Sequence, residues 1–214
     1  MILREDLRDL ETVREVSRVG LLHDLLAERV GSMVVASNLA EDLEVAPRTV
    51  QKWIGILERL YLGFCVWPFT GKLARAIRKP PKFYLFDNPE VPSGEGGSLG
   101  ARFENLVATH LLKRLHFLED SRGDRLELRY IRDKEGHEVD FVVLKERKPA
   151  VLVEAKWSDD APSRDLAYFG ERLGVASRIQ VVKDLGKGFT MRGARVVAAS
   201  EWLSRPLDLP IEDW

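Results

Sequence analysis

Two acidic patterns in the C-terminal half of the chain contain the residues best suited to metal chemistry. The first, HEVDFVVL, contains Glu138 and Asp140, and the second, AVLVEAKW, contains Glu154 and Lys156. Each pattern is typical of a half-buried strand, and the short polar segment 145–149 joins them. We expect a β-hairpin in which Asp140 lies opposite Glu154 and Glu138 lies opposite Lys156. Because side chains alternate along a strand, all four are expected on one face of the sheet.

This register follows from placing Leu144 opposite Ala150. Like charges that face each other destabilise a sheet, so two carboxylates among valines and leucines need a cation between them. Mg²⁺ and Mn²⁺ take carboxylate oxygens and keep several waters. A metal of this kind activates water and stabilises charge on a phosphoryl oxygen, and a nearby lysine can assist. The alternative is a surface hairpin with a Glu138–Lys156 ion pair, worth only about 0–1 kcal/mol.

A third carboxylate lies on a predicted helix upstream of the hairpin. The segment GARFENLVATHLLKRLHFL, residues 100–118, repeats apolar residues at helical spacing. Glu104 is placed at the edge of this apolar stripe, where a charged residue often marks a site. The alternative is an acidic residue in the first turn, favoured there by the helix dipole.

Further helices and strands are predicted on both sides of the hairpin in the sequence. We expect, in chain order, helix 100–118, strand 126–131, strand 138–144, strand 150–157, a helix near Arg164–Leu173, strand 178–183 and strand 195–199.

This order resembles the PD-(D/E)XK nuclease superfamily, which has a glutamate on the first helix, an aspartate on the second strand and Glu-x-Lys on the third. The superfamily includes restriction endonucleases and archaeal Holliday-junction resolvases. The resemblance implies an α/β core with a mixed sheet. It also implies that Asp140, Glu154 and Lys156 are the catalytic residues, that Glu104 is an accessory ligand, and that the cofactor is Mg²⁺ or Mn²⁺.

A second resemblance covers nearly the whole chain and rests on the order of several motifs. They are SRVGLLHDLLAERVGS (17–32), SNLAEDLEVAPRTVQKWIGILERLYL (37–62), RKPPKFYLFD (78–87), GARFENLVATHLLKR, YIRDKEGHEVDFVV and LVEAKWS. Together they are similar to the C-terminal region of prokaryotic AAA-type ATPases, where a domain of unknown function follows the ATPase module. The chain itself has no G-x-x-x-x-G-K-[ST] motif. We expect no ATP site here, and an ATPase module or another protein as a possible partner.

The N-terminal third predicts a helix-turn-helix. Thr12–Arg29 has amphipathic helical spacing, and Ser37 is a candidate N-cap for a helix over Asn38–Leu43. A three-residue turn, 44–46, then leads to a helix over Pro47–Leu60, which begins with a proline. Two helices joined by so short a turn are typical of helix-turn-helix motifs.

Two candidate strands, 61–69 and 82–87, follow these helices and could form a wing. In a DNA-binding winged helix the second helix enters the major groove. The alternative is a helical hairpin that makes only protein contacts. The residues placed to face DNA are Arg48, Thr49, Gln51 and Lys52.

The segment between the two candidate strands has the strongest local charge. Five cations and no acid occur between Gly71 and Lys82, and they are suited to phosphate contacts. The alternative is a solvated loop. The whole chain has 33 basic and 34 acidic residues and a net charge of −1, so the basicity is local. The five cations are Lys72, Arg75, Arg78, Lys79 and Lys82.

Composition excludes several classes of protein. Apolar residues make up 45% of the chain without a long apolar run, which is typical of a globular protein with no membrane partner. Met1 leads into a charged segment rather than a signal peptide. A single cysteine, Cys65, suits a reducing compartment, and we expect the cytoplasm.

The fold class expected is α/β (α+β), with an N-terminal winged helix-turn-helix followed by a restriction-endonuclease-like mixed-sheet domain. The expected boundaries are 1–87, a linker at 88–99, 100–204, and a loosely held C-terminal tail at 205–214. The expected function is metal-dependent cleavage of DNA phosphodiesters. The alternative is a non-catalytic DNA- or protein-binding module that works with an AAA ATPase.

Overall fold

The protein divides into two compact units in the computed structural model. The first comprises Met1–Val66 with Pro80–Ser98, and the second comprises Trp67–Lys79 with Leu99–Trp214. The structure describes residues 16–70, 79–93, 98–158 and 161–214.

Helices and a short strand pair make up the described part of the first unit. They are α1 (Val16–Glu28), α2 (Ala36–Asp42), α3 (Pro47–Arg59), β1 (Gly63–Pro68) and β2 (Lys82–Leu85). The first four residues of β1 pair antiparallel with β2. An isolated bridge between Met33 and Lys82 extends this pairing on the other side of β2.

The local sequence explains where these helices begin. Pro47 is the first residue of α3, where its missing N–H costs nothing, and Val50 and Leu57 are fully buried. The predicted N-cap of α2 is wrong. The helix begins at Ala36 and is preceded by Val35, which makes no side-chain capping bond, while Ser37 lies inside the helix.

The second unit consists of a mixed sheet with helices packed against it. Its elements are α4 (Leu99–Arg122), β3 (Leu126–Arg132), β4 (Glu138–Lys145), β5 (Lys148–Lys156), α5 (Arg164–Leu173), β6 (Ser177–Val182), β7 (Phe189–Met191), β8 (Ala194–Ala198) and α6 (Ala199–Leu203). The sequence did not predict β7 or α6.

The sheet combines an antiparallel meander with a parallel half. Strands β3, β4 and β5 pair antiparallel, β5, β6 and β8 pair parallel, and β7 closes the edge antiparallel to β8. Trp67 and Pro68 of β1 belong to this unit and pair parallel with β3. Helix α4 contacts β3 and β5, and α5 contacts β4, β5 and β6. A mixed α/β architecture is therefore confirmed.

The segment predicted as a linker, 88–99, begins with ordered structure. Asn88–Glu90 form a single 3-10 turn, and Val91 is buried.

Among the described helices, none has the length and apolar run needed to cross a bilayer.

The C-terminal segment is packed, which corrects the expectation of a loosely held tail. Ile211 and Trp214 are buried, and the Trp214 indole Nε1 donates to Leu209 O at 3.1 Å. The guanidinium of Arg114, on α4, lies 4.8 Å from the centre of the Trp214 ring. Its Nη2 also donates to Pro206 O at 2.8 Å. An aromatic ring and a fully buried arginine therefore anchor the last residues to α4.

Replacing Trp214 by Ala should lower the free energy of unfolding by about 3 kcal/mol, because it removes a buried indole and its cation–π contact. Urea denaturation measures the loss. The control is Phe117→Ala on the exposed surface of α4, where Phe117 is 40% exposed and the expected cost is below about 1 kcal/mol. Equal small losses for both variants would contradict the packed C-terminal segment.

Candidate active site

Asp140 and Glu154 meet where the ladder between β4 and β5 ends. The backbone pairing ends at Phe141 and Val153. Beyond it, the amide of Asp140 points to Glu154 Oε2 at 3.4 Å, and the amide of Ala155 donates to Asp140 Oδ2 at 3.0 Å. The two strands separate at this point. Their backbone amides therefore donate to the two carboxylates instead of to the opposite backbone.

A β-bulge in β4 produces this separation. Arg129 pairs with Val142, whereas Ile131 pairs with Val139, so β4 uses three steps where β3 uses two. The extra residue lies at positions 140–141. Bulges end pairing and redirect side chains, and they are frequent beside active sites. The bulge therefore gives a local reason for the Asp140 carboxylate to turn toward β5.

Glu154 is an acidic side chain in a largely dry environment. Glu154 is 4% exposed. Burial, followed by the charge of Asp140, raises the pKa of Glu154 to about 8. Lys156 partly opposes this shift, because its Nζ lies 2.8 Å from Glu154 Oε1. The Lys156 side chain is 36% exposed, so it links the buried carboxylate to solvent.

Glu138 has an arginine partner, and the helix that carries Glu104 begins near the end of β5. Glu138 Oε2 accepts a hydrogen bond from Arg132 Nη1 at 2.9 Å across the β3–β4 pair. Phe103, which precedes Glu104, packs edge-on against Trp157 at 6.2 Å between ring centres, so the start of α4 lies near the end of β5. Even so, the described residues include no group of three or more His, Cys, Asp or Glu side chains that could hold a metal.

Gln180 is a buried residue of the site region that sequence reasoning missed. It lies beside Glu154 in the parallel β5–β6 pair and is fully buried. Its side chain donates to Ala161 O at 3.0 Å and accepts from the Ser163 amide at 2.8 Å. Ser163 in turn caps α5 by accepting from the Asp165 amide. A lone glutamine within the apolar strand RIQVV was the available signal.

A second polar network ties the start of β4 to the start of α5. His137 Nδ1 lies 2.8 Å from Asp165 Oδ1, and the amide of Glu138 donates to Asp165 Oδ2 at 3.2 Å. The His137 ring stacks on Tyr168 at 4.6 Å. The hydrogen bond to Asp165 raises the pKa of His137. These contacts fix the backbone that enters the Asp140 bulge.

The predicted DNA-facing residues fall into three groups. On α3, Arg48, Gln51 and Lys52 are exposed and Thr49 is half-buried. Lys79 is also exposed. Outside the described residues lie Lys72, Arg75 and Arg78.

The structure corrects the prediction that Lys82 contacts phosphate. Lys82 is 3% exposed and lies in β2, whose four residues are all buried. A phosphate contact requires an exposed ammonium group, so Lys82 is not retained among the proposed DNA contacts.

The side chains present fit a hard divalent cation. Asp140 and Glu154 offer carboxylate oxygens, the ligand type that Mg²⁺ and Mn²⁺ prefer. Mg²⁺ is commonly held by one or two carboxylates together with waters and substrate phosphates. Burial and then the charge of Asp140 raise the pKa of Glu154, and a cation would relieve the repulsion between the two carboxylates.

Comparisons with known families match both parts of the chain. Residues 1–88 match the model of a domain of unknown function, DUF8612. Residues 99–197 match DUF4143, also a domain of unknown function. DUF4143 is known as a C-terminal domain associated with AAA ATPases. No curated protein and no solved structure gives a significant match to the chain.

The raised pKa of Glu154 predicts a pH-dependent loss of stability in metal-free protein. The folded-state pKa of about 8 exceeds the ordinary value of 4.5, so the folded state binds the extra proton between these values. Stability should fall as pH rises from about 5 to about 8. In EDTA, the melting temperature of Glu154→Gln should fall less steeply with rising pH than that of the wild type. The control Glu127→Gln should keep the wild-type slope, and a wild-type slope in Glu154→Gln would contradict the assignment.

Proposed function

We propose that this protein is a metal-dependent DNA phosphodiesterase of the endonuclease type, with a DNA-binding winged helix in its first unit. The observation that supports it best is the convergence of Asp140, buried Glu154 and Lys156 at the end of the β4–β5 ladder. The element order helix, three-strand meander, helix, strand agrees with a PD-(D/E)XK core. A bound Mg²⁺ or Mn²⁺ would activate water and stabilise negative charge on a phosphoryl oxygen.

The chain's own residues would divide the remaining work. Asp140 and Glu154 would hold the cation, and Glu104, at the start of α4, would be an accessory ligand. Lys156 is bonded to Glu154 and reaches solvent. Its ammonium could therefore exchange the carboxylate for a substrate phosphate or hold a water.

The first unit supports a winged helix with α3 as the DNA-contacting helix. The short connection from α2 to α3 contains Glu44 at φ 52°, which turns the chain sharply. The antiparallel β1–β2 pair follows α3 and occupies the place of the wing. Arg48 and Lys52 lie one helical turn apart on the exposed face of α3. We propose that they contact phosphates together with Thr49, Lys79 and the loop residues Lys72, Arg75 and Arg78.

A second candidate function is a non-catalytic DNA- or protein-binding module that acts with an AAA ATPase. Two observations favour it. The match to DUF4143 associates this region with AAA ATPases, and Glu154 already has a cationic partner in Lys156. In this alternative the Glu154–Lys156 pair is structural, and no cation binds.

Asp140→Asn separates the two functions. It keeps the shape of the side chain but removes half of the charge offered to a cation, so cleavage of plasmid, single-stranded and branched DNA should fall at least about 100-fold. DNA affinity in EDTA should stay level or rise. Gel-based cleavage assays with Mg²⁺ or Mn²⁺ measure the first effect, and fluorescence anisotropy measures the second.

Glu127→Gln provides the matched control, because Glu127 is a carboxylate on β3 that pairs with Arg129. It should cleave at the wild-type rate. Wild-type protein that cleaves none of these DNAs with either metal would contradict the enzyme and favour the module.

Neutralising Arg48 and Lys52 together should weaken DNA binding and its salt dependence. Loss of two phosphate contacts should reduce the log–log salt slope by about 1.8 on duplex DNA. Anisotropy titrations from low to high salt measure the slope. The double variant Lys113→Gln/Lys187→Gln removes the same charge from exposed positions of the second unit and should leave the slope unchanged. Equal slopes for both double variants would assign the α3 face to another role.

A further inference from the structure

An exposed tyrosine follows helix α3 at a position where glycine is usual. The Tyr61 amide donates to Glu58 O at 3.1 Å. The Leu62 amide donates to Leu57 O at 3.0 Å. These are the two hydrogen bonds of a Schellman motif, in which the residue after the C-cap is left-handed and is most often glycine. Tyr61 adopts φ 55° there, a conformation that is strained for a bulky side chain.

Burial of the Tyr61 ring does not compensate for this strain. Tyr61 is 76% exposed. Its ring lies 5.9 Å from the ring of Phe86, with a tilt of 54°, and Phe86 is itself 38% exposed. Strained residues cluster at positions that bind ligands. These two rings, named here the Tyr61–Phe86 surface, therefore indicate a contact with a partner rather than a contribution to the core.

Buried aromatic rings hold Phe86 in place beside Tyr61. The Phe64 ring lies 5.1 Å from that of Phe86 and 5.7 Å from that of Tyr84, and both Phe64 and Tyr84 are buried. The Phe86 amide also donates to Leu62 O at 3.3 Å, next to the start of β1. The exposed rings are thus supported from the interior of the first unit, as a preorganised contact requires.

The cations that precede this surface favour a nucleic acid as the partner. Arg59 ends α3 two residues before Tyr61 and is exposed, as is Lys52. Seven residues separate Lys52 from Arg59, so they lie within about 20° of each other around the helix axis. Gly55 lies on the same side of α3, and a Cβ there would meet no atom within 4 Å. This glycine has no packing partner to accommodate and leaves room for close approach of a nucleic-acid backbone.

The acidic residues beside this surface are compatible with an uncharged base at Tyr61. Glu58 Oε1 accepts the Cys65 amide at 2.8 Å, so its carboxylate is held against β1. Asp87, next to Phe86, is exposed and would repel a phosphate but not the face of a base. Phosphates are therefore expected along α3, and a base is expected at the Tyr61–Phe86 surface.

Bases stack on exposed aromatic rings in proteins that bind single strands. Bases inside a duplex are covered by their neighbours, so Tyr61 needs an unpaired base. We propose that the first unit binds DNA where a duplex meets a single strand, with α3 on the duplex phosphates and Tyr61 stacked on an unpaired base. This inference rests on the proposed DNA-binding winged helix and adds the DNA structure that it recognises.

Anisotropy titrations in EDTA test this proposal with a blunt duplex and with the same duplex carrying a single-stranded tail. Wild-type protein should bind the tailed duplex more tightly. Tyr61→Gly should weaken binding to the tailed duplex about 10-fold, since it removes the stacking ring. It should leave binding to the blunt duplex unchanged, because the phosphate contacts of α3 remain. Tyr61→Trp keeps a stacking ring and should bind the tailed duplex like the wild type.

Thermal unfolding separates a lost contact from a lost fold. Tyr61→Gly should keep or raise Tm, because glycine adopts the left-handed conformation without strain. Tyr61→Asn also tolerates this conformation and provides the test if Tyr61→Gly does not fold. Leu21→Ala is the matched control, because Leu21 is an exposed apolar residue of α1 in the same unit, 48% exposed. It should leave binding to both DNAs unchanged.

Three results would overturn the junction proposal while the wild type still binds DNA. They are equal wild-type affinity for the two DNAs, wild-type affinity of Tyr61→Gly for the tailed duplex, and equal losses of affinity on both. The Tyr61–Phe86 surface would then be assigned to a protein partner, and the proposed winged helix would be retained. Wild-type protein that binds neither DNA would contradict the winged helix as a DNA-binding element, and the junction proposal with it.

Discussion

The repulsion between Asp140 and buried Glu154 is the interaction on which the site depends. Two acids placed together in a largely dry environment are costly unless a proton, a lysine or a metal offsets their charge. Lys156 provides one such offset through its 2.8 Å contact with Glu154. A divalent cation carries twice the charge of an ammonium group and would offset more of the repulsion.

The surrounding fold holds this unfavourable arrangement in place through backbone contacts. The Asp140 carboxylate accepts the amide of Ala155, so that separating the two acids would also cost a partly buried hydrogen bond. Gln180 fixes the loop before α5, and Asp165 at the start of α5 holds the amide of Glu138. Strands β4, β5 and β6 and helix α5 therefore form one rigid support. Such support is what a preorganised site requires.

Sequence periodicity predicted most of the second unit, because its strands and helices obey simple burial patterns. A helix was predicted near Arg164–Leu173 and is found there, with Ser163 and Gly174 as caps of the residue types that favour these positions. The register of Phe141 with Val153 is the predicted one, because an irregularity between Val143 and Leu144 restores it beyond the turn. In contrast, no role was predicted for Gln180, because a single polar residue in a strand has no periodic signature.

The departures from prediction arise where tertiary contacts decide the conformation. Leu144 pairs with Pro149 instead of Ala150, because Glu146 and Arg147 both adopt positive φ and make a two-residue turn. Such turns usually carry Asn or Gly, so Glu-Arg gave no indication of it. Lys82 was counted as a loop cation, yet it lies in β2, whose four residues are all buried. Neither outcome could be read from local residue types.

The most direct test of a cation site at Asp140 and Glu154 is calorimetric titration of wild-type protein and Glu154→Gln with Mn²⁺. A titration follows binding itself, independently of any DNA substrate or cleavage. The account predicts saturable binding near one site per chain in the wild type, with release of protons at neutral pH because the cation displaces the proton favoured on Glu154. Glu154→Gln should lose this binding. No saturable heat in the wild type, or equal binding by both proteins, would contradict the account.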